Sequence, residues 1–163
     1  PYRRQRQMCI RDRTYAGRLD RDSEGLLIMT NDGDLIQRMM KGSAGHEKEY
    51  VVKVNKPVTQ EFLNGMSQGV YLKELDTTTR PCKLEMKGKY TFHIVLTQGL
   101  NRQIRRMCQY FGYEVVSLRR IRVLNIELGN LTSNQYRELT VEERTKLYEL
   151  CGMRQPHRNS QKG

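Results

Sequence analysis

Apolar positions along the chain fall into short, well-separated blocks, each with the period of one kind of element. Leu26-Leu27-Ile28-Met29-Thr30 is a continuous apolar run of strand length and predicts a buried strand. Asn31-Asp32-Gly33-Asp34 reads as a turn that also caps a helix from Leu35 to Lys41, so Asp32 and Asp34 are assigned to scaffold. After the break at Gly42-Ser43-Ala44-Gly45, His46 to Val54 alternates polar and apolar residues as a half-buried strand does, with Tyr50 inside it. Pro57 ends that strand, and Thr59 caps a helix from Gln60 to about Gln68, with Glu61 in its first turn. Val70 to Glu74 is a short strand and Asp76 to Pro81 a loop. Lys83–Met86 and Tyr90–Thr97 pair as a hairpin across Lys87-Gly88-Lys89, with Phe92, Ile94 and Leu96 on one face.

In the second half, Ile104, Met107, Cys108 and Phe111 recur at helical spacing within Asn101 to about Phe111 and mark its core-facing stripe. Arg102, Arg105 and Arg106 repeat that spacing on another face. Val115 to Leu128 reads as one long strand interrupted by Arg119, Arg120 and Arg122. Thr140-Val141-Glu142-Glu143 is a capping box that opens a last helix, which Gly152 ends. Strands, helices and hairpins in this order predict an α+β domain on a mixed, mainly antiparallel sheet, without a doubly wound βαβ series. The expected division is a basic segment over 1–15 outside the fold, one domain over 16–152, and a polar tail over 153–163.

Charge narrows the partner. A net charge of +11 and a pI near 9.7 set up a positive surface field, so nucleic acid is the first partner to consider and anionic membrane the second. No apolar run approaches the length of about 20 residues that a spanning helix needs. Cys9, Cys82, Cys108 and Cys151 lie far apart without zinc spacing and read as reduced, mostly packed thiols of a cytoplasmic protein. His46, His93 and His157 are equally scattered, so neither a metal nor a cofactor is expected.

Candidate chemistry lies in Gly17-Arg18-Leu19-Asp20-Arg21-Asp22-Ser23-Glu24-Gly25, where carboxylates sit among arginines of a basic chain. Asp20 is the leading nucleophile or base, since flanking cations hold a carboxylate ionised and an acid adds nothing to RNA affinity. Asp22 and Glu24 are rivals, because a DxDxE pattern can also ligate magnesium for strand cleavage. In the second arginine segment, Arg102 and Arg106 are expected to hold phosphates, and Arg105 to turn inward and pair with Asp20. Tyr50 is either an ordinary strand aromatic or a ring that stacks on an extruded base.

Gly17-Arg18-Leu19-Asp20, Ser23-Glu24-Gly25-Leu26-Leu27, Thr30-Asn31-Asp32-Gly33, Lys48-Glu49-Tyr50 and Asn101-Arg102-Gln103-Ile104-Arg105-Arg106-Met107 together resemble the pseudouridine synthases that modify ribosomal RNA. The resemblance is to the branch with the small-subunit enzyme and large-subunit enzymes B, E and F, and within it most of all to type F. It covers about 16 to 152. It implies a mixed sheet flanked by helices with a central cleft, and the catalytic set Asp20, Tyr50 and Arg105. It also implies RNA contacts at Arg18, Asn101, Arg102, Gln103, Arg106, Leu118 and Arg120, with Leu118 packing beside the catalytic residues. The implied reaction is site-specific isomerisation of uridine to pseudouridine in 23S ribosomal RNA after base flipping, without cofactor. The alternative is a non-catalytic ribosomal or RNA-binding module. The implied partner is 23S ribosomal RNA or a large-subunit assembly intermediate, with a transfer RNA open as a second substrate, no membrane, and a monomeric enzyme. The branch's small amino-terminal RNA-binding domain has no counterpart here, so the sequence reads as a catalytic domain alone.

Overall fold

The computed structural model describes residues 14–41 and 45–154. Cys9, His157, the central break at 42–44 and nearly all of the two expected terminal segments lie outside them. The described chain runs β1 (Thr14–Tyr15), β2 (Glu24–Gly25), β3 (Met29–Thr30), α1 (Gly33–Met40), β4 (Lys48–Val54), α2 (Gln60–Ser67), β5 (Tyr71–Leu72) and a 3-10 turn at Lys73–Leu75. It continues with β6 (Thr77–Thr78), β7 (Lys83–Gly88), β8 (Thr91–Leu96), α3 (Gln103–Tyr110), β9 (Val115–Val123), β10 (Ile126–Glu127) and α4 (Val141–Leu150).

The main sheet has the order β10-β9-β4-β8-β7, all antiparallel, with β2 added in parallel against β9. This is the mixed, mainly antiparallel sheet expected. Period-two burial on β8 sends Phe92, Ile94 and Leu96 to the face that also carries Val52 and Val54. Helices α2 and α3 cover that face with Phe62, Leu63 and Met66 from one and Ile104, Met107 and Cys108 from the other. The opposite face is polar: Arg122 bridges Glu49 and Glu47 at 3.0 and 3.1 Å, and Glu49 also meets His93 at 3.1 Å.

A second core lies at the β9–β10 end, where Ala16, Leu26, Ile28, Leu35 and Met39 meet Val123, Ile126, Leu147 and Tyr148. Asp32 belongs to it as scaffold. Its carboxylate accepts from the amides of Asp34 and Leu35 as the N-cap of α1 and from the Tyr148 hydroxyl of α4 at 2.7 Å. The Thr140–Glu143 capping box on α4 is present as read.

Several elements depart from their sequence pattern. The Val70–Glu74 strand is cut to Tyr71–Leu72 and runs into the 3-10 turn at Lys73–Leu75, while Thr77–Thr78 of the expected loop pair with it. Leu26 to Thr30 is not one strand: pairing is confined to Glu24–Gly25 and Met29–Thr30, while Leu26 and Ile28 serve as buried anchors between them. Val115 to Leu128 is not one strand either, because Leu124 adopts a left-handed backbone at φ 55° and folds β10 back on β9. Thr14–Tyr15, assigned to the basic segment outside the fold, pair with Met29–Thr30. A hydrophobic run alone does not distinguish these cases, since a buried anchor and a paired strand residue have the same composition.

Candidate active site

Residues 17–25 form a loop whose two ends are anchored in the second core. Before it, Ala16 is buried and donates its amide to the Ile28 carbonyl at 2.8 Å; after it, Leu26 is buried and donates to the Arg120 carbonyl at 2.9 Å. Burying a side chain such as Leu26 or Ile28 is worth roughly 1.5–3 kcal/mol, which holds the loop base firmly. At the tip, Ser23 donates to the Asp20 carbonyl at 2.9 Å and closes a four-residue turn with Asp20 first and Asp22 third. Asp20 is half-buried, whereas Arg18, Arg21 and Asp22 are exposed.

Gly25 is explained by close approach. Its backbone lies at φ 119°, and a Cβ there would stand 2.2 Å from the Arg120 carbonyl oxygen. Only glycine lets β2 lie this close against β9.

The Gln98–Met107 segment approaches the turn from the other side, and its side chains divide the work. Gln103 is buried, its Oε1 accepting from the Leu100 amide at 3.2 Å and its Nε2 donating to Gln98 at 3.3 Å. Arg106 folds back, donating to the Asn101 carbonyl at 2.9 Å and the Asn101 Oδ1 at 2.8 Å. Held in this way, Arg102 takes a left-handed conformation at φ 49° ahead of α3. It therefore does not share a helical stripe with Arg105 and Arg106, as its spacing had suggested.

From that position Arg102 donates to both Asp22 carboxylate oxygens at 2.9 Å each. Arg105 donates to the Asp22 carbonyl at 2.7 Å, and its Nε stands 3.5 Å from the carboxylate. The Arg102 hydrogen bond, with both guanidinium charges behind it, lowers the Asp22 pKa to about 2. The Arg105 partner expected from the sequence is thus corrected: it is Asp22, and among the described residues no ion pair reaches the Asp20 carboxylate. Asp20 still lies near enough to Arg102 to raise that guanidinium's pKa, after the larger effect of Asp22. The Arg105 Nε is buried without a hydrogen-bond acceptor, which leaves donor capacity unused beside the turn.

Below the loop are β4 and β9. Tyr50 lies opposite Arg120 across these strands and packs, half-buried, against the main core. Lys48, two residues earlier, has its ammonium pKa lowered by burial and then by the charge of Arg120.

Three residues assigned to RNA contact do not reach the surface: Leu118 is 5 %, Gln103 4 % and Arg120 2 % exposed. Leu118 is a core residue opposite Val52, Gln103 braces its own loop, and Arg120 bonds the backbone carbonyl of Leu26 through Nε and Nη2 at 3.0 and 2.7 Å. Arg18, Asn101, Arg102 and Arg106 remain accessible or partly so, although Asn101 and Arg106 are paired with each other. The Asp20, Asp22 and Glu24 magnesium reading loses its middle ligand to Arg102. Among the described residues no group of three acidic, histidine or cysteine side chains is gathered for a metal. Asp22, a rival acid in the sequence, is instead the partner of Arg102 and Arg105, a pairing that spacing did not give, and the charge of Arg120 at Lys48 was likewise not foreseen.

Residues 13–110 match the family of RNA pseudouridylate synthases. The chain belongs to that family. It is 48 % identical over 134 residues to the dual-specificity RNA pseudouridine synthase RluF of Escherichia coli K12, covering 82 % of this chain and 46 % of that protein. It is 38 % identical over 139 residues to the ribosomal large subunit pseudouridine synthase B of Bacillus subtilis, covering 83 % of this chain and 57 % of the relative. A crystal structure of a pseudouridylate synthase superposes with a TM-score of 0.79 at 30 % identity, over 85 % of this chain and 60 % of the other. The fold is that of the pseudouridine synthases, and the chain spans about half the length of the curated relatives it matches.

Proposed function

We propose that the chain isomerises uridine to pseudouridine in ribosomal RNA, with Asp20 as the acting carboxylate. The observation that carries this reading is the turn at Asp20–Ser23. It is fixed at its base by β9 and gripped at its tip by Arg102 and Arg105, and the β9 residue that pairs with its base, Arg120, lies opposite Tyr50 of β4. A half-buried carboxylate on a braced turn among arginines, with an aromatic ring supplied by β4, suits chemistry on a base flipped from RNA.

In the proposed reaction the target uridine is unstacked at a cost of a few kcal/mol and enters beside Asp20. The C1′–N1 bond breaks, the uracil turns, and a C1′–C5 bond forms; the proton lost from C5 is balanced by one gained at N1. Asp20 promotes the first step by attack at C1′ or by removal of the 2′ proton, and Tyr50 stacks on the base and assists C5 deprotonation. The unpaired Nε of Arg105 offers a donor to Asp20 as that carboxylate reorients.

The names of the relatives favour a ribosomal substrate, and that of the Escherichia coli protein a second RNA besides. For this chain we infer 23S ribosomal RNA or a large-subunit precursor, with transfer RNA as the second class to assay. Among the described residues no helix is long and apolar enough to cross a membrane. The test is to incubate wild type and Asp20→Asn with natively folded large-subunit RNA and map pseudouridine by carbodiimide-dependent reverse-transcription stops. A new stop with wild type alone supports the reading. The same stop with both proteins, or none with either, overturns it.

A further inference from the structure

We propose that Arg120 is a positioning residue, whose buried guanidinium holds the loop of residues 18–26 from beneath and so aims the Asp20 carboxylate. This rests on the function proposed above. Arg120 is 2 % exposed, on the face of β9 that also carries Leu118. Its Nε and Nη2 both donate to the Leu26 carbonyl, at 3.0 and 2.7 Å, and its Nη1 approaches the Arg18 carbonyl at 3.5 Å. Those two carbonyls lie on either side of Asp20 in the chain. The Arg120 backbone joins in: it pairs with Gly25 in parallel register, and its carbonyl accepts from the Leu26 amide.

The chemistry argues against a filler. A buried guanidinium is costly unless every donor finds an acceptor, and an aliphatic side chain such as the neighbouring Leu118 would occupy this site without that cost. Among the described residues Arg120 has no carboxylate partner; the acceptors its side chain meets are backbone carbonyls of the Asp20 loop. What a guanidinium does here and leucine cannot is fix two carbonyls at once, with a planar fork whose geometry dictates their separation. Lysine carries the same charge but gathers its donors on one nitrogen, without the planar fork that meets the two carbonyls from different nitrogens.

The experiment compares wild type, Arg120→Lys and Arg120→Met. Both variants are expected to bind RNA within about twofold of wild type while turnover at saturating RNA falls about 100-fold, the scale set by misplacing a reacting group by about an ångström. Amide exchange over residues 19–24 is expected to rise at least about tenfold, with exchange in β4 and β8 unchanged. Wild-type turnover in a folded Arg120→Lys, or a loss confined to RNA affinity, overturns the proposal; the second result would make Arg120 an RNA contact. Should neither variant fold, the Arg120 Nε proton of the wild type decides. Slow exchange, matching the Asp20–Ser23 amides, supports the latch, and exchange at the rate of a free arginine refutes it. The exchange measurements need no activity. A wild type inactive on every RNA thus removes the proposed function and leaves Arg120 to be judged by exchange.

Discussion

Arg102 and Asp22 meet in a two-pronged ion pair, with Nη1 and Nη2 each 2.9 Å from a carboxylate oxygen. The same geometry would serve a phosphate, so in the unliganded protein Asp22 occupies the cation that RNA would use. Asp22→Asn is therefore expected to strengthen RNA binding a few-fold and to steepen its salt dependence by about one counterion. Binding titrations from low to moderate salt measure this, and an unchanged slope would mean that Arg102 stays with the turn when RNA is bound.

The pH dependence of that pair has a definite sign. The folded pKa of Asp22 lies at about 2, below its ordinary 3.8, so the contribution is whole above pH 3.8 and is lost as pH falls through about 2. Asp22 is then expected to add nothing to any activity change between pH 5 and 8. Parallel rate profiles for wild type and Asp22→Asn over that range are the check, whatever their absolute rates.

Tyr50→Phe separates packing from proton transfer. The ring packs against the main core and no hydrogen bond holds its hydroxyl among the described residues, so the variant is expected to fold and bind RNA as wild type does. Single-turnover product formation should slow by about 100-fold or more, the usual weight of a general acid–base group. A rate within twofold of wild type would reduce Tyr50 to a stacking surface.

Gly25→Ala tests the close approach of β2 to β9. With φ at 119° and the Arg120 carbonyl oxygen 2.2 Å from the added carbon, the loop base must shift. A loss of about 2 kcal/mol or more in urea unfolding is expected. Stability within about 0.5 kcal/mol would show that the pairing yields easily.

Glu143 offers a test away from the cleft. Arg137, bonded at 2.7 and 2.8 Å, and then the Thr140 amide lower its pKa from the ordinary 4.5 to about 2. Its contribution is present above pH 4.5 and lost as pH falls through about 2. Glu143→Gln should cost about 1 kcal/mol at neutral pH, the typical scale of a helix cap. Denaturant midpoints of the two proteins should converge as pH approaches 2.

Local and periodic features were the legible ones. The stripe Ile104, Met107 and Cys108, the alternation on β8 and the caps at Asp32, Thr59 and Thr140 each depend on neighbours a few residues away. What could not be read is what joins distant segments. An arginine on a strand reads as surface until its acceptors are known, and those of Arg120 are some ninety residues away in sequence. In the same way, spacing placed Arg102 on a helix that its left-handed backbone delays to Gln103, and this decides which aspartate it meets.

Arg120 lies close enough to Lys48 for its charge to lower the Lys48 pKa, and neither forms an ion pair with a carboxylate among the described residues. In a chain of net charge +11 this concentrates self-repulsion at one place. A polyanion seated over these residues relieves it, so binding and folding become linked equilibria: the protein should melt at a higher temperature with RNA present, and added salt should weaken that gain.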